Sequence, residues 1–385
     1  MSPKTLHALP RIDKHELAPE ELARAATLPS RFYVDPEFDQ FDRQAVFSTN
    51  WQYVGGMSQL TQRGDVITAE IAGEPIMVVQ TGDNGAAGNL RGFFNVCQHR
   101  GGPLVTPEAD SSAAGNHRMF RCRYHGWSYK LSGELVGTPK FEGVENFDPA
   151  KCSLRPVAVA EWQGLVFASL ADRPGELAGG DGIFAGIAER MHPVSISGMK
   201  FAKRVIYDIR CNWKVYVDNY MEGYHVGPVH PELSNLLDIS QYGFETGKHS
   251  FLQHSPLRPG DSVYAKREEG GEAFYWFVHP NIMLNVLPGR LQVNSILPNG
   301  HDRTTTIFDY YYEDVTSAAA LKRLADDLAY SEVVQQQDIW ICEQVQKGLR
   351  SRAYDRGRIS VAEESGIHFF HERIKAGYRA QLMSS

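Results

Sequence analysis

Two short segments, Cys97-Gln-His99 and Cys122-Arg-Tyr-His125, each set a thiol beside an imidazole. Thiolates suit the iron of a sulfide cluster, and imidazoles on a second iron raise its potential. Each pair is followed by glycine, Gly101-Gly102 in the first segment and Gly126 in the second, as a tight ligand loop requires. The residues therefore read as a [2Fe–2S] centre held unevenly, with Cys97 and Cys122 on one iron and His99 and His125 on the other. A structural zinc site is the rival, but it usually groups Cys with Cys and His with His. Twenty-two residues separate His99 from Cys122. Much of that gap, residues 106–117, is rich in turn formers and small polar residues and reads as a surface loop, with His117 exposed and not a ligand.

A second constellation lies further on. Asp218, Glu222 and His225 are spaced by four and three, which places them on one face of a helix expected to run to about His225. Gly227-Pro228 should break that helix, because proline disfavours α geometry in the residue before it. His230 then sits on a turn that can fold back towards His225. Two imidazoles need a carboxylate to complete a 2-His-1-carboxylate iron site with positions open to dioxygen. Asp338 supplies it, since it falls on the helical stripe of Val334, Ile341, Cys342, Val345 and Leu349, where a buried carboxylate needs a partner or a metal. Plainer readings make His225 and His230 satisfied or exposed histidines and pair Asp338 with Arg350. An electron-transfer centre needs an acceptor, however, so the two constellations support one another.

The 385 residues suit two domains. Residues 1–45 are expected to form a segment, with a short helix at 19–26, that packs on the catalytic domain. Residues 46–170 read as short strands between glycine turns, among them 66–71, 75–80, 90–96 and 164–169, forming an all-β domain with the cluster loops at its tip. A glycine-rich stretch at 173–182 is the linker candidate. Residues 171–385 mix strands such as 201–209 and 304–312 with helices, giving a largely antiparallel sheet and a long helix after it. A net charge of −7 makes no electrostatic case for nucleic acid or acidic membranes. No run approaches 18 apolar residues and the N-terminus has no apolar signal core, so neither a membrane partner nor export is expected, and the cytoplasm is. Cys152, Cys211 and Cys342 have no visible partners, in keeping with a reducing compartment. No Gly-x-Gly-x-x-Gly follows a strand, so a nicotinamide or flavin domain must lie on another chain.

From Trp51 to its C-terminus the chain resembles the α subunit of the Rieske non-haem iron oxygenases. The resemblance rests on Cys97-x-His99, Cys122-x2-His125, His225-x4-His230 and Asp338. It implies an α+β protein made of an all-β Rieske [2Fe–2S] domain and a helix-grip, START-like catalytic domain with an antiparallel sheet. One [2Fe–2S] cluster and one mononuclear Fe(II) per chain are implied, with electrons from NAD(P)H through a flavin-containing reductase, with or without a ferredoxin. A homotrimer is implied too, the Rieske centre of one subunit facing the iron of its neighbour. In this family an acidic residue just before the first iron histidine bridges the centres. Here that residue is Glu222, set between His225 and His125 of a neighbouring subunit, with Asp218 behind it as a supporting group.

Residues 337–358, together with Glu364, His368 and His371, are similar to the choline, glycine-betaine and carnitine monooxygenase branch. Glu222, where many aromatic dioxygenases have aspartate, points the same way. The branch implies oxidation of a methyl or methylene next to a quaternary nitrogen, giving an aldehyde hydrate or releasing formaldehyde. Such a cation is held by an aromatic cage. Tyr275, Trp276, Phe277, Phe308, Tyr310, Tyr311 and Tyr312 are candidates, although aromatics alternating along strands also serve as core. The alternatives are a ring-hydroxylating oxygenase of aromatic or heteroaromatic compounds and an electron carrier with an inactive second domain.

Overall fold

A computed structural model describes residues 10–83, 85–106, 117–258 and 271–384. The chain divides into two compact units, Phe47–Leu177 and a discontinuous unit of Met1–Val46 with Ala178–Ser385. Among the described residues no helix is long and apolar enough to cross a membrane.

The Phe47–Leu177 unit is built from antiparallel strands. β1 (Gln52–Gly56), β2 (Val66–Ile71), β3 (Glu74–Gln80), β4 (Leu90–Phe94), β8 (Pro156–Trp162) and β9 (Leu165–Ser169) form one sheet in the order β1-β9-β8-β4-β3-β2. The short β5 (Phe120–Arg121), β6 (Ser128–Tyr129) and β7 (Leu135–Gly137) form a second. Two-residue turns, Ala72-Gly73 and Gln163-Gly164, join β2 to β3 and β8 to β9 with both residues at positive φ. That geometry matches the twist of the paired strands. β4 stops two residues earlier than the pattern suggested. Asn95 N–H still donates to Pro75 O at 2.8 Å, but Pro75 has no N–H to return a bond, and the Asn95 side chain turns away, donating to Val105 O at 2.7 Å and accepting from Leu104 N and Val105 N. Residues 107–116 of the long gap lie outside the described residues. His117 is half-buried rather than exposed, because its N–H donates to Gly64 O at 3.1 Å and its ring lies 5.8 Å from Phe120.

The other unit holds a seven-stranded antiparallel sheet in the order β10-β16-β15-β14-β13-β12-β11. Its strands are β10 (Lys200–Ile209), β11 (Gly243–Thr246), β12 (Ser250–Pro256), β13 (Glu272–Val278), β14 (Ile282–Leu287), β15 (Arg290–Pro298) and β16 (Thr304–Tyr312). Gln253, Tyr275, Asn285, Gln292 and Tyr310 stand opposite one another in successive strands, a row on one face of the sheet.

The helices, in chain order, are α1 (Arg31–Val34), α2 (Glu37–Asp42), α3 (Ile187–Met191), α4 (Trp213–Tyr220), α5 (Val226–Val229), α6 (Pro231–Leu236), α7 (Ala318–Leu349) and α8 (Ser365–Ser384). The helix expected at 19–26 is only a 3-10 turn, Leu22–Arg24. Its approach is held by cations of α8 instead of by its own N–H groups: Lys375 donates to Ala18 O and Glu20, and Arg379 donates to Leu17 O. Phe32, Phe38 and Phe41 surround the ring of Tyr378 at 4.7–5.9 Å. Asp42 accepts from Lys214, Trp213 and Tyr378, all fully buried, tying α2 to α4 and α8.

The inward face of α7 is polar where an apolar stripe was expected. Its buried positions are Ala320, Asp327, Ser331, Gln335, Cys342 and Gln346, while Val345 is 45% exposed. Each polar one has a partner on a neighbouring element: Asp327 on Arg290, Ser331 on Tyr310, Gln335 on Tyr216, Gln346 on the Asn212 N–H. Burial of such groups is tolerable only when they are paired in this way.

Candidate functional site

In the α+β unit, α4 ends at Tyr220, five residues before the expected end at His225. The Met221 carbonyl is covered by Gly366, where a Cβ would approach it to 2.1 Å. The N–H of His225 donates instead to Glu222 Oε2 at 3.0 Å. Gly227-Pro228 does not break a helix but lies inside the short α5, because first-turn N–H groups have no intrahelical acceptor to lose. Asp218, Glu222 and His225 therefore do not share one helical face. Asp218 turns to Tyr33 (2.7 Å) and His371 (2.9 Å) and does not line the cavity described below.

His225, His230 and Asp338 do come together, with ligand atoms within 4.8 Å of one another. Nε2 of His230 lies 3.0 Å and Nε2 of His225 3.7 Å from Asp338 Oδ1. The opposite nitrogens are held: Nδ1 of His225 meets Glu222 Oε1 at 2.6 Å and Nδ1 of His230 meets Gln337 Oε1 at 2.7 Å. Those acceptors draw the ring proton to Nδ1 and leave Nε2 as a lone-pair donor, the tautomer that a metal takes. Burial lowers the pKa of His230, but the hydrogen bond and charge of Asp338, with Gln337 and Glu232, outweigh it and raise the net value. Asn219 Nδ2 donates to Asp338 Oδ1 at 2.7 Å and fixes the carboxylate. Arg350 is no competitor for Asp338, since it pairs with Asp302 at 2.6 Å. Two imidazoles and a carboxylate fit one ferrous ion.

The trio opens on a cavity of about 130 Å³, close to one of about 150 Å³ that admits a benzene-sized guest. Of the aromatic candidates, Tyr275 and Phe308 line it, whereas Trp276, Phe277, Tyr310, Tyr311 and Tyr312 do not. Trp276 and Tyr311 fall on the other face by strand alternation, Phe277 packs on Phe370, and Tyr310 and Tyr312 are covered by Ser331 and Asp327 of α7. Four more tyrosines line it that sequence reasoning missed: Tyr216, Tyr220, Tyr242 and Tyr330. Tyr216, Asn219 and Tyr220 sit at i, i+3 and i+4 on α4, a signal that was available. Gln337 was also missed, though it is the neighbour of Asp338.

In the all-β unit the two ligand loops share one backbone plan. Gly101 N–H donates to Cys97 O and Gly126 N–H to Cys122 O, both at 2.9 Å, with the glycines at φ +76 and +78. A side chain at either position would be strained. Cys97 and Cys122 are 2% and 3% exposed within an apolar cluster that includes Trp127 and Tyr129. Tyr129 stands 3.3 Å from Cys97 Sγ and accepts from Gln98 N at 3.0 Å. The imidazoles lie further out, His99 stacked on Trp127 at 4.8 Å and 4.6 Å from the ring of His125, which is exposed. Burial first, then the nearby His125 and Arg100, push the pKa of His99 below its ordinary value. His99 Nδ1 is buried with no hydrogen-bond partner. An orphaned ring nitrogen beside two buried thiols and a second imidazole fits a cluster ligated as the sequence suggests. His117 lines the same hollow as His99 and His125.

Comparison with known proteins agrees with both halves. Residues 50–148 match the Rieske [2Fe–2S] domain family, and residues 196–380 match the ring hydroxylating alpha subunit catalytic domain family. The chain is 33% identical to the chloroplastic choline monooxygenase of Arabidopsis thaliana, over 91% of this chain and 82% of that one. It is 34% identical to the carnitine monooxygenase oxygenase subunit of Escherichia coli K12, over 91% and 93%. A solved quaternary ammonium Rieske monooxygenase superposes with a TM-score of 0.85 at 29% identity, over 96% of this chain and all of that one. Naphthalene 1,2-dioxygenase from Rhodococcus, at 18% identity and a TM-score of 0.73, shares the fold.

Proposed function

Since the chain belongs to the Rieske oxygenase α-subunit family, an oxidoreductase family that couples a [2Fe–2S] cluster to a catalytic iron, we propose that it hydroxylates a carbon next to a quaternary nitrogen. The observation that carries this reading is the convergence of His225 Nε2 and His230 Nε2 on Asp338 in the wall of a tyrosine-rich cavity. Iron held there would supply the activation of dioxygen, at the cost of two electrons and two protons per hydroxylation. Cys97, His99, Cys122 and His125 would hold the cluster.

The chain's own residues do the positioning. Glu222 and Gln337 keep the Nδ1 protons in place and so aim both Nε2 atoms at one point. Glu222 is the bridge in this reading, its carboxylate fastened to both the ring and the N–H of His225. Asp218, bonded to Tyr33 and His371, supports the end of α4 that leads to Glu222. Tyrosine faces attract an alkylammonium. Three of the hydroxyls are engaged by other residues of the lining, Tyr216 on Gln335, Tyr220 on Asn285 and Tyr242 on Gln253, which holds those rings in position. The reading further takes the chain to act as a homotrimer, in the cytoplasm, fed by a flavin-containing reductase. Cys211 and Cys342, expected to lack partners, are buried thiols in hydrogen-bond contact with one another.

Metal analysis and oxygen uptake test the reading together. The expected result is three irons and two sulfides per chain, with oxygen consumption coupled to product from trimethylammonium compounds and not from benzoates. Two irons per chain in active cluster preparations, or coupled turnover of benzoates alone, would refute it.

A further inference from the structure

The cavity has a polarity that the iron site leaves unexplained. Arg290, Gln292 and Asn294 alternate along β15, so they share its cavity face. Arg290 donates to Asp327 Oδ2 at 2.7 Å and, through Nη2, to Gln292 Oε1. A guanidinium has donors only, so Gln292 must turn its oxygen to it and its nitrogen away. That nitrogen donates to Asn294 Oδ1 at 2.8 Å, which leaves Asn294 with its Nδ2 donors to offer. A second series ends the same way on α7. Gln335 Oε1 accepts from the Tyr216 hydroxyl at 2.7 Å, and Gln335 Nε2 is buried without a partner. Asn294 and Gln335 are each 3% exposed, and both line the cavity.

Building on the quaternary-ammonium reading above, we infer that Asn294 and Gln335 form a subsite for a carboxylate on the substrate. The substrates are then betaines, acids that carry their own trimethylammonium group, in preference to the alcohols of the same skeleton. A carboxylate only accepts hydrogen bonds, which suits two residues of one cavity that each have amide N–H groups to offer. An alcohol oxygen carries no charge, so it gains less from two amide donors than a carboxylate, whose hydrogen bonds are charge-assisted. Arg290 stands at the head of the β15 series and polarises each bond after it towards the cavity end.

The test uses the iron-loaded, cluster-containing protein with a reductase and two substrate pairs: glycine betaine against choline, and γ-butyrobetaine against its methyl ester. The acid of at least one pair should be favoured in kcat/KM by about tenfold or more, the worth of one good polar contact. Gln335→Glu and Asn294→Asp keep the oxygen that each present bond uses and replace the free donor with an acceptor. They should raise KM for the acid by at least about tenfold while kcat moves less, and so reduce or reverse the preference. If a carboxylate at either position disturbs folding, Gln335→Met removes the donor without adding charge and should shift the ratio in the same direction. A wild-type protein that prefers choline and the ester, or variants with full iron and cluster content and an unchanged acid-to-neutral ratio, would overturn the subsite and leave the function standing. Oxidation of none of the four compounds would overturn both.

Discussion

Replacing Gln337 with leucine removes the acceptor that holds Nδ1–H of His230 while keeping the volume of the side chain. His230 is 1% exposed, so water cannot take over the 2.7 Å bond without entering the site. A buried donor left without a partner costs about 1–3 kcal/mol. If that cost falls on the ligating orientation, ferrous affinity at the His225–His230–Asp338 site drops by about 5- to 150-fold. The other bond of Gln337, to Glu232 at 3.3 Å, is exposed and adds little. Gln337→Glu keeps an acceptor at the same place and should retain iron as well as the wild type. Anaerobic titration against a chromophoric chelator measures the affinity, with the absorbance of the [2Fe–2S] cluster as the internal reference. Affinity within twofold of wild type for Gln337→Leu, at an unchanged Tm, would refute the orienting role, as would equal losses for leucine and glutamate.

Glu222→Gln should leave cluster and iron bound but cut coupled turnover at least about tenfold, because one of the two oxygens that accept separately from the ring and the N–H of His225 becomes a donor NH2; iron content set against product per NAD(P)H checks it, and preserved coupled activity would sink the bridge. Asp42→Ala strands the fully buried ammonium of Lys214 and should cost about 3–5 kcal/mol in urea unfolding; a loss below about 1 kcal/mol would show that the charge finds water or another partner. Tyr275→Leu should raise KM for a trimethylammonium substrate by about 2- to 30-fold, the worth of one cation–π contact. Binding of the uncharged 3,3-dimethylbutyl analogue should change less, and equal losses for both would mean that the ring supplies only packing.

Both metal constellations were legible because their chemistry demands particular residue types. No common structural role explains Cys97, His99, Cys122 and His125 together, or a carboxylate at Asp338 on a helix face that should be buried. The local geometry around them was less legible, and for definite reasons. Helix periodicity carried α4 on to His225, but the turn there depends on Glu222 capping the N–H of His225 and on Gly366 of α8 closing over Met221, contacts made far along the chain. Hydropathy suggested an apolar stripe on α7, whereas its inner face carries polar residues that bond to Tyr216 of α4, Arg290 of β15 and Tyr310 of β16, with only Gln335 Nε2 left over. The cavity wall was illegible in the same sense: which of many aromatic residues meet the substrate is decided by strand register and by what α7 covers.

The discontinuous make-up of the α+β unit governs how a nascent chain can fold. Phe32, Phe38 and Phe41 close around Tyr378, so although Asp42 can reach Trp213 and Lys214 of α4 earlier, these three rings lack their apolar cover until α8 has been synthesised. At ribosomal speeds of about 5–20 residues per second, the roughly 320 residues between them take on the order of 15 to 65 seconds. The contiguous Phe47–Leu177 unit can collapse during that interval, while three phenylalanines upstream of it remain without their native cover. Chaperone demand should therefore centre on the first forty or so residues, and a stop codon that deletes α8 should be felt most strongly at the opposite end of the polypeptide.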